Sequence, residues 1–215
     1  ALAEYVTIWL GMPGAPYSRL VVFSVVFWAG LATTCRLASR RYGSGRLRTD
    51  LQIRVRIDDL AIGIVGALTT LFLGGLMTLL IEHLHRFHLS VPSYPLVPSR
   101  TIPTGGWIVL ALFTAVGAPI FEELYFRGLL QTVVLERAGR VAAVGLTAAV
   151  FATGHVFNAP GLAGVAYALE VLPAGIAFCC IRLWTGRLGS SMVTHCLYNS
   201  SVLAVLAWHL GYFSH

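Results

Sequence analysis

The chain has 215 residues, 57% of them hydrophobic and 11% charged, with a mean hydropathy of +0.77; soluble domains run about 45–50% apolar and about 25% charged. That balance excludes a water-soluble globule, and apolar stretches longer than about 17 residues use so much of the length that one polytopic membrane domain is expected. The net charge of +6 comes from Arg alone, with no Lys, and seven of the fifteen basic residues lie between Arg36 and Arg56. Membrane topology accounts for this cluster, and nucleic acid is not expected as a partner.

In chain order, Tyr5–Leu10 is apolar but is followed by Pro13 and Pro16, so it reads as an interfacial segment. The run Leu20–Cys35 follows Arg19 as a signal-peptide core would, yet Thr33 and Thr34 stand where a cleavage site needs small residues, and a retained helix is expected. The Arg-rich segment that follows is assigned to the cytoplasm by the positive-inside rule, as are the segments carrying Arg137 with Arg140 and Arg182 with Arg187. Leu60–Ile81 and Thr101–Phe121 are two further spans. Between them, Glu82, His83, His85 and His88 resemble a metal cluster, but they sit at a helix end beside Pro92, Pro95 and Pro98 and read as a polar interfacial rim. The apolar region Val141–Ile181, interrupted by His155, Asn158-Ala159-Pro160 and Glu170, and the run Leu188–Leu210, interrupted by His195 and His209, supply three more helices.

The expected fold class is all-α. It is a polytopic membrane bundle of about six to seven helices around an intramembrane cavity, kinked at Pro119 and Pro173, because backbone polar groups in lipid must be paired within helices. Residues 1–100 form an N-terminal transmembrane region with an Arg-rich cytoplasmic loop, and residues 101–215 carry the polar motifs, all within one structural domain. Cys35, Cys179, Cys180 and Cys196 lack metal-ligand spacing and read as small buried thiols. Trp9, Trp28, Trp107, Trp184 and Trp208 mostly fall near run ends, as interfacial anchors do.

Ionisable residues at membrane depth cost about 2.5–3.5 kcal/mol each on insertion scales, so a cluster of them marks a functional site. Three clusters occur. In Glu122-Glu123-Leu124-Tyr125-Phe126-Arg127, Glu123 and Arg127 are helical neighbours that can form a local ion pair. Glu122 points about 100° away, which makes it the freer carboxylate and the candidate general base. The second cluster is Phe151-x-x-x-His155 and the third His195-x-x-x-Asn199, whose ring nitrogen and amide on one helix face suit an oxyanion. Glu170, mid-helix, reads equally as a structural carboxylate and as a second proton or substrate contact. At about 1.5 Å per residue, Glu122 lies about 23 Å from Arg137 and His155 about 21 Å from Val141, so the two can meet. His195 lies only about 12 Å from Arg187, and a loop, kink or tilt must absorb the difference of about 10 Å.

The ordered set Glu-Glu-x-x-x-Arg, Phe-x-x-x-His and His-x-x-x-Asn resembles the CPBP (Abi) family, the CAAX-processing and bacteriocin-processing intramembrane proteases that include the Ras-converting endopeptidases. The resemblance covers about Gly105 to Leu210. It implies a catalytic membrane core over residues 101–215 and peptide-bond hydrolysis in a membrane-anchored protein or peptide within the lipid bilayer. Glu122 would activate water that His155 shares and orients, His195 and Asn199 would stabilise the oxyanion, and Glu123 and Arg127, with the motif residue Phe151, would order the site. No cofactor is expected, since the zinc-protease spacing His-Glu-x-x-His is absent; the alternative is zinc held by Glu122, His155 and His195. The expected location is a prokaryotic cytoplasmic (inner) membrane, and the oligomeric state is left open. Rival readings are a non-catalytic immunity or scaffold protein using the same cavity for binding, and a proton-coupled transporter.

Overall fold

The structure, a computed structural model, describes residues 16–85, 104–158 and 161–209. The interfacial reading of Tyr5–Leu10, Trp9, and the proline-rich stretch with Arg86, His88 and Arg100 lie outside these residues. The described residues form helices joined by short turns, without a strand. In chain order these are α1 (Pro16–Tyr42), the one-turn α2 (Leu47–Asp50) and α3 (Asp58–His85). Then come α4 (Thr104–Ala111), a π-helical segment Leu112–Gly117, α5 (Ala118–Glu123), a second π-helical segment Leu124–Leu130 and α6 (Gln131–Gly154). A 3-10 turn (His155–Asn158), α7 (Leu162–Thr185) and α8 (Leu188–His209) complete the order.

Among the described residues, four stretches are long and apolar enough to cross a membrane: Val21–Tyr42, Asp58–His83, Gly106–Phe157 and Leu162–Thr185. The expected six to seven crossings are therefore not reproduced at that criterion, for two physical reasons. Gly106–Phe157 has 52 residues and would run about 78 Å if straight, well over twice a hydrocarbon core of about 30 Å. It is not straight: at Gly139 the backbone takes φ 79° and ψ −179°, a region open to glycine, and the chain doubles back. The rings of Phe126 and Phe151, far apart in sequence, consequently meet with centroids 5.2 Å apart. In α8, the apolar pattern is diluted by Ser190, Ser191, Thr194, His195, Asn199, Ser200 and Ser201.

Small residues let the helices approach closely, as membrane packing requires. A Cβ on Gly175 of α7 would stand 3.2 Å from Ala148 of α6, and Cβ atoms on Gly63 and Gly66 of α3 would press into Val193 and Thr194 of α8. Pro173 is accommodated inside α7. Cys35 and Cys179 are buried, while Cys180 is exposed, which corrects its reading as a buried thiol.

The Arg-rich segment is a folded plug. Asp50 accepts hydrogen bonds from Ser39 Oγ and from the amide and hydroxyl of Ser44, which closes the turn after α1. Leu51, Cys35 and Leu188 form a buried cluster against Leu47, Leu124, Leu129 and Met192. The amides of Leu188 and Gly189 donate to the carbonyls of Gln52 (3.1 Å) and Arg54 (3.0 Å). Asp59, fully buried, accepts from Arg187 Nε (2.8 Å), the Arg56 amide (2.7 Å) and Ser190 Oγ. Helix α8 thus starts inside the bundle, docked on the segment that precedes α3.

That docking removes the depth conflict of the sequence reading. Leu188 packs near Gly128; from this level Glu122 lies six residues along one helix and His195 seven along another, about 9 and 10.5 Å at the helical rise. Counting from Arg187 as a surface marker understated the depth because Leu188, its neighbour, is wholly buried.

Candidate active site

Proline places the first polar rung. Pro119, in the first turn of α5, has no N–H to give back along the helix, and the preceding turn widens into the π-helical segment Leu112–Gly117. The Thr114 carbonyl accepts instead from Asn199 Nδ2 of α8 at 2.8 Å. One amide proton of Asn199 is therefore used in fixing the side chain, and its second remains available to the cavity it lines. Wide turns of this kind recur at functional sites, and here a second one, Leu124–Leu130, follows directly on the paired glutamates.

Glu123 and Arg127 are fully buried and joined at 2.8 Å, as the spacing predicted. The guanidinium also donates to the Gly175 carbonyl of α7 at 3.2 Å and lies 4.3 Å from the Phe151 ring centroid and 5.2 Å from that of Phe178. One turn further, buried Gln131 donates to the Cys179 carbonyl at 3.0 Å. These two bonds tie the motif helix to α7 where lipid offers no substitute partner.

Glu123 has a further task. Its Oε1 lies 3.1 Å from His195 Nδ1, while the same ring turns Nε2 toward Glu122 Oε2 at 3.9 Å. A carboxylate on Nδ1 fixes the ring's orientation and leaves Nε2 turned toward Glu122. Phe178 stacks on the other face, with centroids 4.5 Å apart and planes at 30°, and Phe151 meets the ring edge-on at 5.9 Å. His155, at the end of α6, has Nδ1 2.8 Å from the Phe151 carbonyl. Since a carbonyl only accepts, Nδ1 carries the proton and Nε2 presents its lone pair.

These residues face a cavity of about 470 Å³, walled by α1, α3, α5, α7 and α8 and reached by Glu122, Phe151, His155, His195 and Asn199. Glu123 and Arg127 stand behind it. The structure thus brings together every residue singled out in the three motifs and divides them between the cavity wall and its support. Trp28 is also in the wall, stacked between Phe113 and Phe121 with both centroids 5.1 Å away, which corrects its reading as an interfacial anchor; Trp184 and Trp208 are exposed near helix ends. Sequence reasoning missed Phe178 and the carbonyls of Thr114 and Gly175. Phe178 sits in an apolar run without a distinguishing signal, and carbonyls leave none. Gln131, four residues beyond Arg127 on the same face, was readable. Among the described residues no three His, Cys, Asp or Glu side chains are grouped to hold a metal ion.

Residues 104–201 match the family model described as type II CAAX prenyl endopeptidase Rce1-like. No curated protein and no solved structure gives a significant match. The match begins at the first residue of α4 and ends just past Asn199, so it encloses the paired glutamates, both histidines and the asparagine. The segment of this chain that carries the three polar motifs is thus similar to the Rce1-like CAAX endopeptidases.

Proposed function

We propose that the chain is an intramembrane endopeptidase in which Glu122 activates the hydrolytic water, without a metal, for a peptide bond in a membrane-anchored protein or peptide. The observation that carries this reading is the gap of 3.9 Å between Glu122 Oε2 and His195 Nε2 at the cavity wall. That gap is too long for a direct hydrogen bond and fits two groups that share a water or a substrate atom. Glu122 takes a proton from the water as its oxygen attacks the carbonyl carbon, and His155 Nε2 accepts the water's second hydrogen and orients it. The oxyanion then receives hydrogen bonds from the free Asn199 amide proton and from His195 Nε2, and Glu122 returns its proton to the departing amine.

For His195 to donate through Nε2 while Nδ1 serves Glu123, the ring must be an imidazolium. The charges then balance: Glu122 and Glu123 are negative, Arg127 and His195 positive, and the group is neutral within a medium that penalises net charge. In this reading the bundle crosses the membrane six times, by α1, α3, the two arms on either side of Gly139, α7 and α8. It resides in a prokaryotic inner membrane with the Arg-rich plug on the cytoplasmic side.

The test compares wild type with Glu122→Gln in native host membranes, reading protein N- and C-termini by mass spectrometry. Loss of specific processed termini with the variant still inserted supports the reading. Identical termini refute Glu122 as the base and favour the binding role. Chelation with EDTA is expected to leave the wild-type activity intact, whereas loss on chelation and recovery with zinc would move Glu122, His155 and His195 to a ligand role.

A further inference from the structure

Glu170 is the one acidic side chain of the cavity wall that the proposed chemistry leaves unused. It projects from α7 into the same cavity as Glu122, which Thr78 of α3 also lines, with Glu82 adding to the negative potential around it. The buried cation of the motif centre, Arg127, is already paired with Glu123, so it does not neutralise Glu170. Among the described residues no Arg lines the cavity and Glu170 has no ion pair, and the chain has no Lys. The Thr78 hydroxyl can satisfy at most one of the roughly four acceptor positions of a carboxylate. Tyr167, one turn away on α7, and Tyr198 of α8 also line the cavity. A carboxylate beside aromatic walls is the arrangement that binds ammonium and guanidinium groups.

We propose that Glu170 forms a second subsite, one that takes a cationic group, the amine or guanidinium of a basic residue in the substrate polypeptide. Its place in the fold sets the spacing. Phe178 stacks on His195 and so marks the reacting end of α7; Glu170 lies eight residues earlier, about 12 Å along the helix. An extended chain advances about 3.3 Å per residue, so the basic residue stands three or four positions from the scissile bond. Attributing the cation to a substrate rests on the proteolytic reading above; the subsite itself does not.

The experiment therefore begins without catalysis. The full chain in lipid nanodiscs is titrated calorimetrically with dodecylammonium and with dodecanol, as wild type, Glu170→Gln and Glu170→Asp. Partition into lipid is common to all three proteins and cancels in the comparison. Wild type and Glu170→Asp are expected to bind dodecylammonium about tenfold more tightly than Glu170→Gln does, the scale of one charge-assisted hydrogen bond, with no difference for dodecanol. Equal binding of the ammonium to wild type and Glu170→Gln, both folded by circular dichroism, overturns the subsite whatever the enzyme does. In a second arm, apolar peptides carry one Lys moved stepwise to either side of the cleaved bond. A rate maximum three or four residues away that flattens in Glu170→Gln supports the assignment to substrate, and a flat profile in wild type overturns it. A subsite that binds the ammonium in a protein that cleaves nothing would refute proteolysis and leave the cation site standing.

Discussion

Replacing Arg127 with Met removes a guanidinium that is fully buried, 2.8 Å from Glu123 Oε1 and 3.2 Å from the Gly175 carbonyl. Met keeps most of the apolar length, so little cavity opens; what is stranded is a carboxylate without its cation. Breaking a buried ion pair from one side costs about 3–5 kcal/mol, and the lost contacts with the Phe151 and Phe178 faces add up to about 2 kcal/mol. Against native stabilities of about 5–15 kcal/mol, this is a large fraction of the whole. The assay is reversible unfolding in mixed dodecylmaltoside–SDS micelles for wild type, Arg127→Met, Glu123→Gln and the double variant. The double variant leaves no uncompensated charge and is expected to be more stable than Arg127→Met alone by about 2 kcal/mol, within the usual range for groups in contact. It is nevertheless expected to be inactive, because Gln cannot hold His195 Nδ1 with a charge. Strictly additive costs would refute the charge-stranding argument, and an active double variant would refute the role of Glu123 in setting His195.

Asn199→Ala is expected to lower kcat by about 10²–10³, the value of one oxyanion donor, with KM unchanged; an equal loss on KM would make Asn199 a substrate contact instead. Gly189→Ala forces a Cβ against the Arg54 carbonyl and the Asp59 carboxylate, and a cost of about 1–3 kcal/mol is expected in the same micelle assay. Gly117→Ala runs into the Trp28 ring and should displace it from the cavity wall, seen as a change in tryptophan emission. The hydrogen bonds from Ser39 and Ser44 hold the Asp50 carboxyl at about 2, below its ordinary 3.8. Its contribution to the turn is then fully present above pH 3.8 and is lost only as pH falls through about 2. The Ser44 amide resonance in micelles should therefore titrate near 2, and a midpoint near 3.8 would show that the turn does not favour the carboxylate.

The legible parts of this molecule are those that one helix decides by itself. The Glu123–Arg127 pair, the separate direction of Glu122 and the shared face of His195 and Asn199 follow from helical spacing, and the structure places them accordingly. The relation between helices was not legible. That His195 hangs from Glu123 rather than standing free beside Asn199 depends on two helices meeting at one level, and periodicity along a single helix carries no such information. The same holds for the Thr114 carbonyl, freed by Pro119: the proline was visible as a kink, but its consequence for a side chain 85 residues away was not. Trp28 was misread because an aromatic residue within an apolar run has the same local signature whether it faces headgroups or a cavity.

The Arg-rich segment shows why topology and chemistry are coupled in a protein of this size. Its charge was read as a compass for orientation, yet its backbone fixes where α8 begins, through the Gln52 and Arg54 carbonyls and the buried Asp59. A shift of α8 by one residue would move His195 about 1.5 Å along the axis and rotate it by about 100°, taking it out of reach of both glutamates. No bond between α8 and the motif helix alone prevents this, since the Asn199–Thr114 and His195–Glu123 contacts would be lost together in such a slip. The Arg187–Asp59 pair, at 2.7 Å, and the tight seat of Gly189 resist it from the far end. The segment that an inspection of charge assigns to the membrane surface is in this way part of what holds the paired glutamates and His195 at one depth.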